Sequence, residues 1–358
     1  MRDRFLPQED DLAELINGQA AELYSRLRTL PVETLGLPAH CLYYFRTSHF
    51  NRLFFSIETS AHLLYRSISL QIIPVAGIVI MDYGAGVGTL YMLAKMIGCQ
   101  LVIYNDFLEE WRLSARLIAE AIDIKIDEYI LGDIEETLQA LKEKGILCDI
   151  ITSRNVIEHV YKLDHFYRSF HLHQPQALVY SSTTANFYNP AAHIKHVLWH
   201  RKWEKEYYRE RMEAIKQTGL VTQKTHLHEL AKQTRGLAGN DLTNAVQSYS
   251  TSKIMPDAAR YYTNTCQPST GVWAEHMIPF KEYRNAIGIE NYSIIFLPGF
   301  WDTHYRAAWK NIITKMMNAI IAIMGRAGVV IAPFIYVIAQ PKNAIETGTD
   351  PKRVLQLV

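Results

Sequence analysis

The sequence Ile78-Val79-Ile80-Met81-Asp82-Tyr83-Gly84-Ala85-Gly86-Val87-Gly88-Thr89-Leu90 decides the fold class of this chain. An apolar, β-branched run reaches an acidic residue and then three glycines at alternate positions, and an amphipathic helical pattern follows from Thr89 to about Ile97. This order predicts a buried parallel strand, a tight turn and a helix whose N-terminus faces a ligand. Because glycine has no Cβ, the turn can be sharp and the ligand can lie against bare backbone.

The glycine spacing argues against a dinucleotide site. Nicotinamide and flavin sites favour G-x-G-x-x-G, and here the position that would carry the last glycine is Thr89. A carboxylate at Asp82 would repel a pyrophosphate, whereas it suits a cation such as the α-ammonium of an amino acid. A dehydrogenase is therefore disfavoured.

Further strand patterns alternate with helical ones and end in polar residues. Strands are expected at 78–82, 101–105, 128–131, 148–153 and 177–182, followed by a sixth at 292–297. A seventh is expected within 328–339, where Pro333 indicates either a bulge or a start near Phe334. Such alternation predicts an α/β fold with a mostly parallel sheet and helices on both faces.

Four of these segments together resemble the motifs of class I S-adenosylmethionine (SAM)-dependent methyltransferases. D-x-G-x-G-x-G at Asp82–Gly88 resembles motif I, and the segment around Ile157-Glu158-His159-Val160 is similar to small-molecule and quinone O-methyltransferases. The resemblance covers residues 78 to 182. It implies a Rossmann-like, seven-stranded, mostly parallel sheet with an N-terminal helical extension and a helical cap insertion, and SAM as cofactor.

The resemblance also implies which residues bind the cofactor. Asp106 would accept the ribose hydroxyls, Phe107 would pack on the adenine, and Asp133 with the Ile134 amide would bind the adenine edge. The expected cofactor residues are Asp82, Tyr83, Gly84, Ala85, Gly86, Gly88, Asp106, Phe107, Asp133, Ile134 and Asn155.

The loop after the fourth strand contains the candidate catalytic residues, His159 and Glu158. His159 is either a general base for a hydroxyl acceptor or a structural histidine that packs the following helix. Some quinone O-methyltransferases bind a divalent metal with a carboxylate three residues before the Glu-His pair. That position is Asn155 here, so we assign no metal ligands.

The bulk composition limits the partners. Thirty-seven basic and 36 acidic residues among 358 leave a net charge of +1, so a nucleic-acid substrate is not expected. Four scattered cysteines without C-x-x-C fit a reducing, cytoplasmic compartment. No signal core and no uncharged apolar stretch of 18 residues is present, so no transmembrane segment is expected.

Outside the core motifs, the chain is expected to be helical. The expected divisions are an N-terminal helical section at 1–70, a SAM-binding core at 71–184, a helical cap at 185–277, the remaining core at 278–345 and a tail at 346–358. The first section either roofs the cofactor or only packs. A helix at 305–323 is expected to pack on the sheet; the alternative is a surface that touches lipid or a partner chain.

The expected function is methyl transfer from SAM to a small molecule, at an oxygen of a sugar or natural-product intermediate. Transfer to nitrogen or carbon and a non-catalytic SAM-binding subunit are the alternatives. The sequence does not define the oligomeric state. His193, His196 and His200 share a helix face, but without further ligands a zinc site is not expected.

Overall fold

The strands form one sheet at the centre of the molecule. A computed structural model describes residues 4–256 and 263–342; the predicted tail at 346–358 lies outside them. The strands are β1 (Val79–Asp82), β2 (Leu101–Asp106), β3 (Glu128–Leu131), β4 (Ile150–Arg154), β5 (Leu178–Thr183), β6 (Tyr292–Pro298) and β7 (Ile335–Pro341).

The strand order is β3-β2-β1-β4-β5-β7-β6. β1 to β5 pair in parallel, whereas β7 is antiparallel to both β5 and β6. The predicted seven-stranded, mostly parallel sheet is confirmed. Because β6 therefore runs in the same direction as β5, the carboxyl ends of β1, β2, β4, β5 and β6 lie at one edge.

Helices cover both faces of this sheet. They are α1 (Asp11–Thr29), α2 (Ala39–Tyr44), α3 (Leu53–Ser69), α4 (Leu90–Met96), α5 (Glu109–Ala121), α6 (Ile134–Glu143), α7 (Leu163–His173), α8 (Pro190–Gln217), α9 (Lys224–Gln233), α10 (Gly239–Ser252), α11 (Phe280–Ile287) and α12 (Ala308–Met324). Short 3-10 and π segments connect α2 to α3.

The apolar runs of the central strands supply two cores. Successive side chains of a strand point to opposite faces, so Ile80 and Ile150 join one core while Met81 and Ile151 join the other. The first core also contains apolar residues of α1, α3, α4 and α5, and the second those of α6, α7 and α11. Burial on both faces is why these strands read as continuous apolar runs.

The N-terminal helices pack on the first face. Asp10 caps α1, because its carboxylate accepts the Ala13 N–H at 3.0 Å, and it also accepts the Tyr65 hydroxyl of α3 at 2.6 Å. Leu23 of α1 and Ile57 of α3 are fully buried in the same core as the strands. The N-terminal helices therefore share one hydrophobic core with the sheet.

Among its described residues, the insertion between β5 and α11 contains the predicted helices, α8, α9 and α10, whereas residues 263–279 are not helical. α8 begins after Asn189, whose side chain accepts the N–H groups of Ala191 and Ala192. α8, α9 and α10 bury a small apolar core of their own. The cap position of α10 is Ala238, and Asp241 in its first turn accepts the Tyr161 hydroxyl at 2.9 Å.

The seventh strand starts later than the apolar run that predicts it. Gly325–Val330 is a 3-10 helix, and β7 begins at Ile335, two residues after Pro333. Proline has no N–H to donate to a sheet ladder, so pairing can start only beyond it. The alternative of a start near Phe334 agrees with the structure.

α12 contradicts the expectation of a helix packed on the sheet. Only Thr314 and Ile321 of this helix are buried, whereas Trp309, Met316 and Ile323 are largely exposed. By length and composition alone, the segment Ala308–Val330 is long and apolar enough to cross a membrane. The sequence pattern predicted an apolar helix, but it did not show which face of the helix packs against the rest of the protein.

Candidate active site

A large cavity lies at the carboxyl edge of the sheet. Its volume is about 1170 Å³. Ligand pockets commonly measure about 300–1,000 Å³, so this cavity has room for two molecules side by side. The structure brings every predicted cofactor residue to its wall: Asp82, Tyr83, Gly84, Ala85, Gly86, Gly88, Asp106, Phe107, Asp133, Ile134 and Asn155.

The glycine turn after β1 forms the floor of the cavity. Gly84 and Gly86 have φ of +64° and +54°, a region that side chains disfavour. A Cβ at Gly84 would lie 2.7 Å from Val156 Cγ2, and one at Gly88 would lie 2.8 Å from the Ala85 carbonyl oxygen. Gly84 is therefore required by the close approach of the loop after β4, whereas Gly88 is required by the tightness of the turn itself.

Asp106 is the last residue of β2 and lies at the cavity wall, where only 5% of its surface is exposed. Its Oδ2 accepts the Gly86 N–H at 2.9 Å and its Oδ1 accepts the Leu108 N–H at 3.0 Å. Burial raises the pKa of this carboxyl. A carboxylate offers about four acceptor positions, so two remain for a ligand's hydroxyls.

Asp82 and Arg154 place opposite charges at the neighbouring ends of β1 and β4. Burial raises the pKa of Asp82 to about 7, although the positive charge of Arg154 acts in the opposite direction. The Arg154 guanidinium donates to the Ser56 carbonyl at 2.7 Å and to Thr59 Oγ1 at 2.9 Å. These two partners are neutral, so they do not cancel the positive charge of the guanidinium, which remains at the cavity wall.

Asp133 has a structural task in addition to its predicted one. Its Oδ1 accepts the Glu135 N–H at 2.9 Å and caps α6, while the Glu136 side chain accepts the Asp133 N–H at 2.9 Å. Asp133 Oδ1 also accepts the Glu136 N–H at 3.5 Å, so Asp133 and Glu136 form a reciprocal capping box. Phe107 is 61% exposed on the same side of the cavity and offers a ring face to a ligand.

His159 lines the cavity, and its ring orientation is defined by a hydrogen bond. Nδ1 lies 2.8 Å from the Trp273 carbonyl oxygen. A carbonyl only accepts, so Nδ1 carries the proton and the neutral ring has its lone pair on Nε2. A ring held in this tautomer is able to accept a proton from a bound hydroxyl.

Glu158 does not line the cavity. It is buried behind the loop, where its Oε1 accepts the Thr184 N–H at 3.3 Å, and burial raises its pKa. Its Oε2 has no hydrogen-bond partner among the described residues. Of the two predicted catalytic residues, His159 therefore lies at the cavity wall and Glu158 lies behind it.

Glu275 is a residue that the sequence did not single out. One ligand atom from each of Glu158, His159 and Glu275 lies within 4.8 Å of the others, an arrangement that can hold a divalent cation. Burial, and then the charge of Glu158, raises the pKa of Glu275. The absence of a carboxylate at position 155 therefore does not exclude a metal site, because the carboxylate of Glu275 lies next to Glu158 and His159.

The cavity wall also includes residues from the N-terminal helices and the end of the insertion. Those from the first group are Tyr44, Ser48, His49, Arg52, Phe55, Ser56 and Thr59, and those from the second are Gln267, Thr270 and Val272. The N-terminal helices thus roof the cavity as well as packing on the sheet. No motif marks these residues, since only tertiary contacts bring them to β4.

The histidines of α8 bind backbone carbonyl groups. The Nε2 atoms of His196 and His200 lie 3.0 Å from the Thr184 oxygen and 2.7 Å from the Glu275 oxygen. Burial lowers the pKa of both rings. His196 therefore attaches α8 to the residues that follow β5, and His200 attaches it to the segment that carries Glu275.

Comparisons with known proteins find similar folds only. No protein-family model matches the chain, and no curated protein matches it. An S-adenosylmethionine dependent methyltransferase from Mesorhizobium loti is 14% identical, with a TM-score of 0.39 over 78% of this chain and 97% of that one.

Two further similar structures have different acceptors in their descriptions. A putative RNA methyltransferase from Pyrococcus horikoshii is 21% identical, with a TM-score of 0.30 over 52% of this chain and 80% of that one. A ribosomal protein L11 methylase from Lactobacillus delbrueckii subsp. bulgaricus is 18% identical, with a TM-score of 0.27 over 35% of this chain and 60% of that one. At these scores no acceptor or residue role is transferred to this chain.

Proposed function

We propose that this chain is a SAM-dependent methyltransferase that acts on an oxygen of a small-molecule acceptor, such as a sugar or natural-product intermediate. The observation that carries the proposal is the charge arrangement in one cavity. Asp82 and Arg154 supply opposite charges next to the bare backbone of the glycine turn, and Asp106 supplies free acceptor positions.

This arrangement matches the chemistry of SAM. The α-ammonium of its methionine part fits a carboxylate at Asp82, and its α-carboxylate fits the Arg154 guanidinium. The ribose hydroxyls can donate to Asp106, and the adenine ring can lie on Phe107 beside Asp133 and Ile134. The cavity's volume leaves space next to the cofactor for the acceptor.

The residues of the chain would orient the reactants and remove a proton. Bound SAM would supply both the electrophilic methyl group and the sulfur that leaves, so the protein does not need to activate the methyl donor. Nε2 of His159 is free to take the acceptor's hydroxyl proton, and Gln267, Thr270 and Val272 offer a polar and apolar wall for the acceptor.

The first test measures cofactor binding by calorimetry. The wild type is expected to bind SAM and not NADH. Asp106→Ala removes charge-assisted hydrogen bonds to the ribose, so SAM affinity should fall by about 1.5–3 kcal/mol, roughly 10- to 150-fold. Asp164→Ala, an exposed carboxylate of α7, is the matched control and should bind SAM like the wild type.

A second measurement addresses the acceptor. Transfer of a labelled methyl group is followed over hydroxylated small molecules, with RNA and protein in parallel assays. Incorporation into a hydroxyl-bearing small molecule supports the proposal, and incorporation into RNA or protein alone contradicts its acceptor. Unchanged SAM binding by Asp106→Ala contradicts the cofactor site, and SAM binding without any transfer favours the alternative of a non-catalytic subunit.

A further inference from the structure

The outward face of α12 is apolar over its whole length. Trp309, Ile312, Met316, Ile320 and Ile323 are 61%, 62%, 61%, 46% and 86% exposed. With about 100° between successive residues of a helix, these five lie within one face. Soluble surfaces rarely expose so many large apolar side chains together, so this face is expected to contact something.

The inward face attaches the helix firmly to the fold. The Asn318 side chain bonds the Trp301 N–H at 2.7 Å and its carbonyl at 2.9 Å. Asn311 does the same for Tyr305 at 2.7 and 2.9 Å. Because these amide side chains and the buried Thr314 hold one side, the apolar side has to point outward.

Positive charge surrounds the apolar face. Lys310 and Lys315 are exposed and lie on opposite flanks of that face at helical spacing. Arg306 and Arg326 are exposed near the two ends, and the sequence contains no Asp or Glu between Asp302 and Glu346. An apolar stripe bordered by cations is the pattern of a helix that lies in the interface of an anionic bilayer.

We propose that α12 docks this protein on an anionic lipid surface, with Trp309, Ile312, Met316, Ile320 and Ile323 in the acyl boundary and the lysines at the headgroups. A second copy of the chain fits less well, since a symmetric contact would bring the lysines of both copies together without carboxylates. Spanning also fits less well, because the inward amide side chains of Asn311 and Asn318 are bonded to the fold and could not face lipid.

The position of α12 relates this surface to the cavity. α12 follows β6 at the carboxyl edge of the sheet, and Asp302, just before it, pairs with Arg52 at 3.0 Å. Arg52 and Phe334, which precedes β7, both line the cavity. Docking would therefore hold the cavity's edge of the sheet near the lipid headgroups. The docking itself does not depend on the proposed methyl transfer.

The test is co-sedimentation with vesicles of phosphatidylcholine alone or with 30% phosphatidylglycerol. The full chain should sediment with the anionic vesicles and dissociate as salt concentration rises. Ile312→Glu combined with Met316→Glu should abolish binding, and each of Lys310→Gln and Lys315→Gln should weaken it by about fivefold. Leu172→Glu and Lys125→Gln, exposed positions of α7 and of the loop before β3, are matched controls that should bind like the wild type.

SAM binding and circular dichroism confirm that each variant is folded, and light scattering reports the oligomeric state. Equal sedimentation of the wild type with neutral and anionic vesicles, or none with either, overturns the proposal. A different result would identify a second copy of the chain as the occupant of this face. In that case the wild type would be a dimer that does not bind lipid, and Ile312→Glu combined with Met316→Glu would convert it to a monomer. Because vesicle binding and SAM binding are measured separately, failure of one is distinguishable from failure of the other.

Discussion

His159 combines access to the cavity with a defined tautomer. Its Nδ1 donates to the Trp273 carbonyl, which leaves Nε2 as the proton acceptor. If this nitrogen is the base, His159→Ala and His159→Gln should both lower turnover by about 10²–10⁴-fold with little change in SAM affinity. Glutamine retains hydrogen bonding but cannot take the proton.

Steady-state kinetics and calorimetry on the same preparations check this prediction. His165→Gln is a control, since His165 is also at the cavity wall but pairs with Glu135. A nearly normal rate in His159→Gln would mean that the residue only positions the acceptor.

Asp82 predicts how SAM affinity depends on pH. Its pKa of about 7 in the free protein means that the carboxyl is largely protonated below neutrality. A cationic ammonium favours the ionised form, so binding should release a proton, and affinity should rise by up to about tenfold per pH unit as pH increases towards 7. The dependence should flatten above that value.

Calorimetry in buffers of different ionisation enthalpy measures the released proton. Asp82→Asn has no such proton and should bind more weakly with a flatter profile between pH 5.5 and 8. The same slope in Asp82→Asn and the wild type would show that another group titrates.

At the scale of elements, the N-terminus of α6 illustrates a residue that serves both fold and ligand. Asp133 caps the helix through Oδ1 and also lines the cavity. Asp133→Ala should lower the free energy of unfolding by about 1 kcal/mol and also weaken SAM binding. Asp133→Asn keeps a capping oxygen, so it should keep stability within a few tenths of a kcal/mol, and yet bind SAM more weakly.

Chemical denaturation and calorimetry separate the two effects. The cap of α1 provides a comparison, because Asp10→Ala removes a cap far from the predicted ligand residues and should lower stability alone. Equal SAM affinity in Asp133→Asn and the wild type would assign Asp133 to helix capping only.

At the scale of the whole molecule, the end of the insertion joins the cavity to the loop after β4. The Trp273 N–H donates to the His159 carbonyl at 3.2 Å and the His276 N–H to the Glu158 carbonyl at 2.7 Å. Val272 therefore lies beside His159 at the wall. Val272→Trp should fill acceptor space and lower methyl transfer by more than about tenfold, with SAM affinity nearly unchanged.

Initial rates and calorimetry on the purified variant test this expectation. Ile289→Trp, an exposed position outside the cavity wall, is the control and should be active. Equal loss of SAM binding and transfer in Val272→Trp would place this segment against the cofactor instead of the acceptor.

The local signals of the core were sufficient to predict most of the sheet. The five parallel strands and β6 lie within two residues of the expected bounds, because continuous apolar runs between polar ends require burial on both faces. Likewise, Asp82 and Asp106 could be placed at one sheet edge in advance, since parallel strands align their carboxyl ends. Their roles in binding SAM are still predictions.

The sequence alone thus determined the order of strands and helices, the glycine turn and the residues that end each strand, because each depends on neighbours along the chain. Only the tertiary structure brought Glu275 to Glu158 and His159, Arg154 to the Ser56 carbonyl, and Val272 to the cavity wall. It also decided that α12 presents its apolar side outward. These relations depend on how distant segments pack, and a helix's periodicity records that it has an apolar face but not what that face meets.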